Sequence, residues 1–550
     1  MPAREGGDGR TEAGDPGRLV EAERIRHALP GLALAVVDGE GVLRAEGFGR
    51  TSAREGAGAV TPSTLFRLGS VTKPLTATAV LRLHDFGVMD LDRPVIDVLP
   101  ELAGTGYPQV ERITARMLLG HTAGLPQDFF PTGGGDPAAL ARAVTALLST
   151  YAPVAPPGTA YSYSNPGYDL AGAAAAAAAG TPFPELLGEL VLRPLEMAST
   201  TFDPAVALTR PLARGHGYGA DGTPVVEPGF ADNVAHYPSG FALSSALDMG
   251  RFMTGYLGAG PGRADRLLGE ESARLTRTGH ARLFLPDDTA ATLGFHRWRW
   301  RGHTVIGHAG DICGYAAWLA MLPEQRIGVV LLANAAPPGF DGRSLVHRVM
   351  AAYLPGADGR KAAEQRPGAR RPEEPPRGCA GVFVGQATGL VRLSEAGGAL
   401  AAEINGRRLT LRSAGNGRFE GGDDEGGDES GDLVSLGFPG AAPDRVTHVM
   451  VDGELCERFD ESRLAVPRPS DLERYCGTYA RIDEVSVFVR DGQLHLHSQE
   501  DLREFPCLPL TRTMFAFEGG VIEFMVDDNG EARAIRARNA VTLNRTGAAR

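Results

Sequence analysis

Lysine is nearly missing from this chain. Lys73 and Lys361 are the only two in 550 residues, and the rest of the 55 basic side chains are arginine. High alanine, glycine and arginine with little lysine reflects codon composition, so a lysine that persists carries information about its position. A basic surplus is missing too: the net charge is −12 and the pI about 5.6, which argues against nucleic acid as the main partner. No apolar run reaches the roughly 18 residues that span a bilayer. The first thirty residues are polar and lack the apolar centre of a secretory signal. A chain that starts at Met1 is therefore expected in the cytoplasm, away from membranes. Cysteine is scarce. Cys313, Cys379, Cys456, Cys476 and Cys507 are odd in number and show no zinc spacing, so they are expected as free or buried thiols. Cys313, beside a motif described below, is expected to be a packing residue.

What is present is ordinary globular material, 43% hydrophobic and 22% charged, in a chain too long for one core. Residues 1 to about 17 read as a disordered lead-in, followed by a short helix. "GLALAVVDGEGVLRAEGFG" (31–49) reads as two strands around the turn Asp38-Gly39-Glu40-Gly41. A helix is expected from about Ser70 to His84, ended by Gly87. The middle, about 110–280, is helix-rich, and its poly-alanine segment reads as a core helix. "WRWRGHTVIGH", "YAAWLAMLP" and "RIGVVLLANA" read as three strands. Strands at both ends with helices between them predict one α+β unit, an antiparallel sheet built from the two ends and flanked by helices. Residues 356–377 are proline-rich and charged, hence a linker. Beyond it the texture changes to short strands. "CAGVF", "GGALAAEI" and "GRFE" are echoed in order by "YCGTY", "DGQLHLH" and "FAFE", which predicts two small all-β barrel units related as an internal repeat. The first carries "EGGDDEGGDESGD" (420–432), read as a disordered acidic loop.

Lys73 stands three residues after Ser70 in "RLGSVTKPLTA". Two lysines and a serine frequency near one in twenty give about 0.1 such matches by chance. Residues three apart share a helix face, and Pro74 places both near a helix start. There, unpaired N–H groups and positive potential favour an oxyanion. A buried lysine can lose its proton where arginine cannot, and neutral amine beside hydroxyl makes a nucleophile and base pair. A surface lysine on an amphipathic helix is the competing reading. Two further segments bear on the choice: Tyr163-Ser164-Asn165 in an ordered loop before a helix, and His308-Ala309-Gly310 at a strand edge, where glycine admits a substrate backbone.

Ser-x-x-Lys, Tyr-x-Asn and His-x-Gly in this order resemble the serine β-lactamase and penicillin-binding protein superfamily, in its class C β-lactamase-like branch (peptidase family S12). "TLFRLGSVTK", "GVMDLDRPVIDVLPEL", "ITARMLLGHTAGLP", "LRPLEMASTTF" and "SGFALSSALDMGRFM" agree. The resemblance covers roughly residues 20–350. It implies a β-lactamase-like catalytic domain over 18–355, with barrels over 378–466 and 467–550. It implies Ser70 as acyl-accepting nucleophile and Lys73 and Tyr163 as shared general base and acid. Asn165 would bind the substrate amide and Lys73, and the backbone N–H groups of Ser70 and Asp311, next to Gly310, would form the oxyanion hole. Tyr161 lies nearby but misses the Tyr-x-Asn spacing.

His308 departs from the lysine usual in β-lactamases. A histidine largely neutral near pH 7 offers no fixed charge for a substrate carboxylate, which weakens the case for β-lactamase activity. Two trailing barrels look like the three-domain D-aminopeptidases, in which a barrel loop reaches the active site and helps select a free amino terminus. An acidic element around Asp483 and Glu484, or the 420–432 loop, is the candidate for that contact. The expectation is a serine hydrolase acting on small peptide, amide or ester substrates, first among them amides of D-amino acids. An esterase, an acyltransferase or peptide cyclase of nonribosomal peptides, and a catalytically silent binding module stay open, as does dimerisation. No cofactor motif is present. His495 and His497 share one side of a predicted strand but lack a third ligand, so they read as solvent-facing barrel residues, not a metal site.

Overall fold

The computed structural model describes all residues except 1–14, 128–133, 137, 220, 231, 259–266, 355–372, 397–398, 423–432, 441–445, 481–483, 499–502, 538–541 and 548–550. The expected lead-in, linker and acidic loop therefore fall largely outside the described residues, and Asp483 does so entirely. The first helix, α1 (Pro16–Arg26), begins within the stretch read as lead-in, with proline at its start and Asp15 accepting from the Gly17 N–H as its cap.

Chain ends meet in one antiparallel sheet of eight strands. β1 (Gly31–Asp38) and β2 (Val42–Gly49) come from the start. β3 (Ala281–Arg282), β4 (Ala290–Ala291), β5 (His296–Trp300), β6 (His303–Ile312), β7 (Tyr315–Leu322) and β8 (Ile327–Ala333) come much later in the chain. Their order is β2-β1-β8-β7-β6-β5-β4-β3. The reason β1 reads as an unbroken apolar run is visible in its two faces. Leu32, Leu34 and Val36 enter one core layer with Val346 and Val349 of a late helix, while Ala33, Ala35 and Val37 enter the other with Phe252 and Met253. Both faces are covered, so no polar alternation is possible. The segment "WRWRGHTVIGH" is not one strand but a hairpin, β5 to β6, turning at Arg301-Gly302 with both residues at positive φ. Gly302 signals this turn; Arg301 hides it, because arginine seldom occupies such a conformation.

Helix α2 (Thr72–Asp85) is buried from Thr72 to Leu81. Beside it lies α3 (Asn165–Ala179), the poly-alanine segment, buried from Pro166 to Ala175. Small side chains let two buried helices approach closely. Ser164 caps α3 by accepting from the Gly167 N–H, and this fixes where the loop carrying Tyr163 ends.

Two closed eight-stranded barrels follow, from Gly381–Gly385 to Glu454–Arg458 and from Gly477–Ala480 to Thr542–Gly547. The echoed sequence phrases fall on the first, third and fifth strands of each barrel. Side chains fill both interiors, Phe383 and Phe419 in the first, Tyr475, Tyr479, Phe515 and Phe524 in the second. His495 is half-buried rather than solvent-facing: it stacks on Phe488 and lies 2.9 Å from Glu504. Among the described residues no group of three metal-ligating side chains occurs, and no helix is long and apolar enough to cross a membrane.

Candidate active site

Ser70 sits in a tight turn (Gly69–Val71) that leads directly into α2, where the first helical N–H groups have no partner in the helix. The residue is half-buried, whereas Lys73, one turn on, has no exposed surface. Lys73 Nζ lies 2.9 Å from Ser70 Oγ, 2.6 Å from Asn165 Oδ1 and 2.9 Å from the Ser239 carbonyl. The last two only accept, so they take two N–H bonds whatever the charge of the amine. The third direction faces Ser70. As an ammonium, Lys73 donates there; as a neutral amine, it presents its lone pair to the Ser70 O–H. One proton moving along that contact interconverts the two states without moving a heavy atom, which is what a general base requires. Burial and the lost third proton answer why lysine and not arginine stands here.

Tyr163 lies across the amine, its ring centroid 4.8 Å from Nζ. The ring is held from behind by His121, stacked at 4.5 Å, whose Nδ1 accepts from the Ser164 N–H. Tyr161 points the other way. It is buried among Leu283 and Met450, and its hydroxyl meets His296 Nε2 at 3.0 Å. Burial holds its phenol well above the usual range, which unsuits it as a base.

The third element is β6. Along its length from Ile306 to Ile312 it pairs with β7, but β5 pairs only with His303–Gly307. From His308 onward β5 no longer covers the other backbone edge, and this stretch of β6 lies against the Ser70 turn. The approach is close because both contact residues are glycine. A methyl group at Gly310 would lie 2.2 Å from the Leu68 carbonyl and 2.7 Å from Ser70 N; one at Gly69, where φ is +52°, would lie 2.7 Å from Asp311 N. The Ser70 and Asp311 amides are thus brought close to one another where the two backbones meet, as two N–H donors to one oxyanion would have to be. The His308 ring stands 6.3 Å from Tyr163 and 5.2 Å from His296. Burial, then the neighbouring His296 and Lys73, push its pKa well below the usual histidine value. His296 is pushed down to about 4 by burial and nearby cations. Both are neutral at pH 7, so this wall carries no positive charge. Cys313, expected as a packing residue, lies in the β6–β7 turn and is exposed.

All seven residues expected from the sequence lie in this one region. Others were not singled out: His121 and His296 behind the tyrosine, the Ser239 carbonyl on the lysine, and a whole wall from the first barrel. That barrel docks over the site through the hairpin His448–Val451 and Glu454–Arg458. Met450 and Leu455 pack against Tyr161 and Tyr163, the His448 Nε2–H donates to the Val154 carbonyl at 3.0 Å, and the Gln127 N–H donates to Gln386 Oε1 at 3.1 Å. A cavity of about 220 Å³ remains between them, lined by Gln127 and Tyr163 on one side and Gln386, Asp452, Glu454 and Glu457 on the other. The acidic residues that line it come from the first barrel. Glu484, by contrast, opens a strand of the second barrel, Glu484–Arg490.

This geometry agrees with what the chain resembles. Residues 17–354 match the beta-lactamase family. Penicillin-binding protein 4 of Amycolatopsis lactamdurans is 34% identical over 324 residues, covering 57% of this chain and 83% of that protein. The unguisins hydrolase of Aspergillus campestris is 28% identical over 362 residues, 62% of this chain and 66% of that one. Among solved structures, SurE superposes with a TM-score of 0.61 at 26% identity over 81% of this chain and 98% of its own, and has also been solved with D-Leu. A serine, a lysine and a tyrosine meeting at a helix start, in a chain matched over more than half its length, make this protein a member of the beta-lactamase family.

Proposed function

We propose that the chain is a serine hydrolase that forms an acyl-Ser70 intermediate from amide bonds of short peptides containing D-amino acids. The observation that carries this is the Lys73 amine, with two of its directions held by obligate acceptors and the third on Ser70. Lys73, with Tyr163, takes the Ser70 proton as Oγ attacks the carbonyl carbon, and the oxyanion rests on the Ser70 and Asp311 amides. The C–N bond breaks as that proton passes to the leaving amine. Water, deprotonated by the same groups, then cleaves the ester, releasing the acid and restoring Ser70. A neutral His308 gives a substrate carboxylate no cation, which disfavours penicillins. Similarity to a hydrolase and to a protein solved with D-Leu supports hydrolysis and D-residues in the substrate. Met450 and Leu455, which share an apolar cluster with Tyr163, favour a second reading, transfer of the acyl group to a bound amine, because apolar surroundings limit water.

The test is a panel of D- and L-amino-acid amides, p-nitrophenyl esters and nitrocefin. Turnover of D-amides or D-esters is expected at least about tenfold above their L counterparts, with little nitrocefin hydrolysis. Rapid nitrocefin turnover with inert amides and esters would overturn the assignment.

A further inference from the structure

Lys73 takes its two obligate acceptors from two different elements. Asn165 opens α3, and Ser239 belongs to a one-turn helix, Tyr237–Gly240, that follows the turn Val234–His236. The separation of these elements decides where the amine points. On α3, Asn165, Asp169 and Gly172 stand at i, i+4 and i+7, on one face. That face meets the Val234–Gly240 segment at two points. The His236 Nδ1–H donates to Asp169 Oδ2 at 2.6 Å; a carboxylate only accepts, so the ring nitrogen carries the hydrogen. At Gly172 a methyl group would lie 2.3 Å from Pro238 Cγ, so the helix backbone rests directly on the proline ring. The segment is tied to α2 as well. The Thr76 hydroxyl donates to the Pro238 carbonyl at 2.7 Å, next to the Ser239 carbonyl that accepts from Lys73 at 2.9 Å. Within the segment, the Ser239 hydroxyl donates to the His236 carbonyl at 3.3 Å.

We propose that, on the acyl-Ser70 reading above, Asp169 and His236 are positioning residues for Lys73. Their bond fixes the distance between α3 and the Tyr237–Gly240 turn, and so between the two acceptors that aim the amine at Ser70. The pair is well placed for this: Asp169 is four residues from Asn165, and His236 is three from Ser239. Its chemistry is not that of core filling. Asp169 is 3% exposed, and its Oδ1 has no hydrogen-bond partner among the described residues. A buried carboxylate with one oxygen unbonded costs stability, and two apolar side chains of similar shape would fill the gap at least as well. What apolar side chains lack is a bond of fixed length and direction. A charge-assisted hydrogen bond holds two elements at one separation, whereas apolar contacts tolerate a slide. Lys73 needs that separation. Its acceptors stand at 2.6 and 2.9 Å, and either one drifting outward frees the amine to turn away from Ser70.

The experiment uses the double replacement Asp169→Leu with His236→Phe, which keeps the packing apolar and removes the bond. Asp169→Asn, whose amide oxygen still accepts from His236, is the conservative counterpart, and Asp169→Ala breaks the bond by a different change in packing. Circular dichroism and thermal melting establish which variants are folded. On a p-nitrophenyl ester that the wild type turns over, the double variant and Asp169→Ala are expected to lose about 10²-fold in kcat with KM within about threefold, because neither side chain binds substrate. Asp169→Asn recovers most of that loss. The two lysines of the chain allow a second readout that needs no turnover. Lysine isotopically labelled at Cε gives one NMR signal for each, and Lys73→Arg identifies the signal of Lys73. That signal is expected to hold its position in Asp169→Asn and to move towards that of a solvent-exposed lysine in the double variant. Wild-type kcat and an unmoved Lys73 signal in the double variant overturn the positioning role and leave acyl-Ser70 chemistry standing. A loss of kcat that Asp169→Asn shares in full assigns the effect to charge and also overturns it. A Lys73 signal that moves as expected, in a protein whose wild type turns over no ester, supports the positioning role and overturns the chemistry.

Discussion

Lys73→Arg is expected to lower kcat/KM by roughly 10⁴-fold or more on any ester the wild type accepts. The substitution keeps a positive charge and several donors, so a purely structural role for Lys73 would survive it in part. The base role would not. Guanidinium holds its protons throughout the accessible pH range and never presents a lone pair, so the contact now measured at 2.9 Å to Ser70 Oγ becomes permanently a donor towards the atom that must lose its proton. The larger planar head also enters a site with no exposed surface, which costs on the order of 1–3 kcal/mol in strain. The two effects separate experimentally: thermal melting reads the second, and steady-state kinetics on folded protein the first. A folded Lys73→Arg enzyme within tenfold of wild type would contradict the assignment of Lys73 as base.

Gly310→Ala should be nearly as damaging although it alters no functional side chain. Its methyl group would lie 2.2 Å from the Leu68 carbonyl and 2.7 Å from Ser70 N, both backbone atoms. Backbone cannot swing aside as a side chain can, so β6 and the Ser70 turn must separate. The Asp311 amide then leaves its place beside the Ser70 amide. Loss of one oxyanion donor costs about 10²–10³ in kcat, and displacement of the strand adds destabilisation of about 1–3 kcal/mol. The expected result is a kcat at least a hundredfold lower with KM far less affected. Wild-type kcat in the Gly310→Ala enzyme would show that the oxyanion is held elsewhere.

The proximity of Ser70 and Lys73 was legible because local rules place them. A spacing of three on a helix, a proline that fixes the helix start, and a lysine kept against a strong compositional bias all act within a dozen residues. The sheet was legible for a related reason: β1, β7 and β8 are apolar on both faces and can only be central strands. The β5–β6 turn was not, since Arg301 takes a conformation that arginine rarely adopts. The first barrel's part in the site was hidden more deeply. Met450, Asp452, Glu454 and Leu455 sit in what reads as any other hairpin, and nothing within it records that it is pressed against a tyrosine far earlier in the chain. Docking of one folded unit on another is decided by surface shape, and a local sequence pattern does not carry it. The same holds for His296: on its own strand it reads as one more polar position, and only the fold sets it behind Tyr161 and beside His308.

The central claim is that Ser70 becomes acylated, and intact-protein mass spectrometry after exposure to a fluorophosphonate tests it most directly. The account predicts one adduct per chain, mapping to the peptide that contains Ser70, absent in Ser70→Ala and strongly slowed in Lys73→Arg. A protein whose mass stays unchanged after prolonged exposure, or an adduct on a different residue, would contradict it and leave a binding module in place of an enzyme.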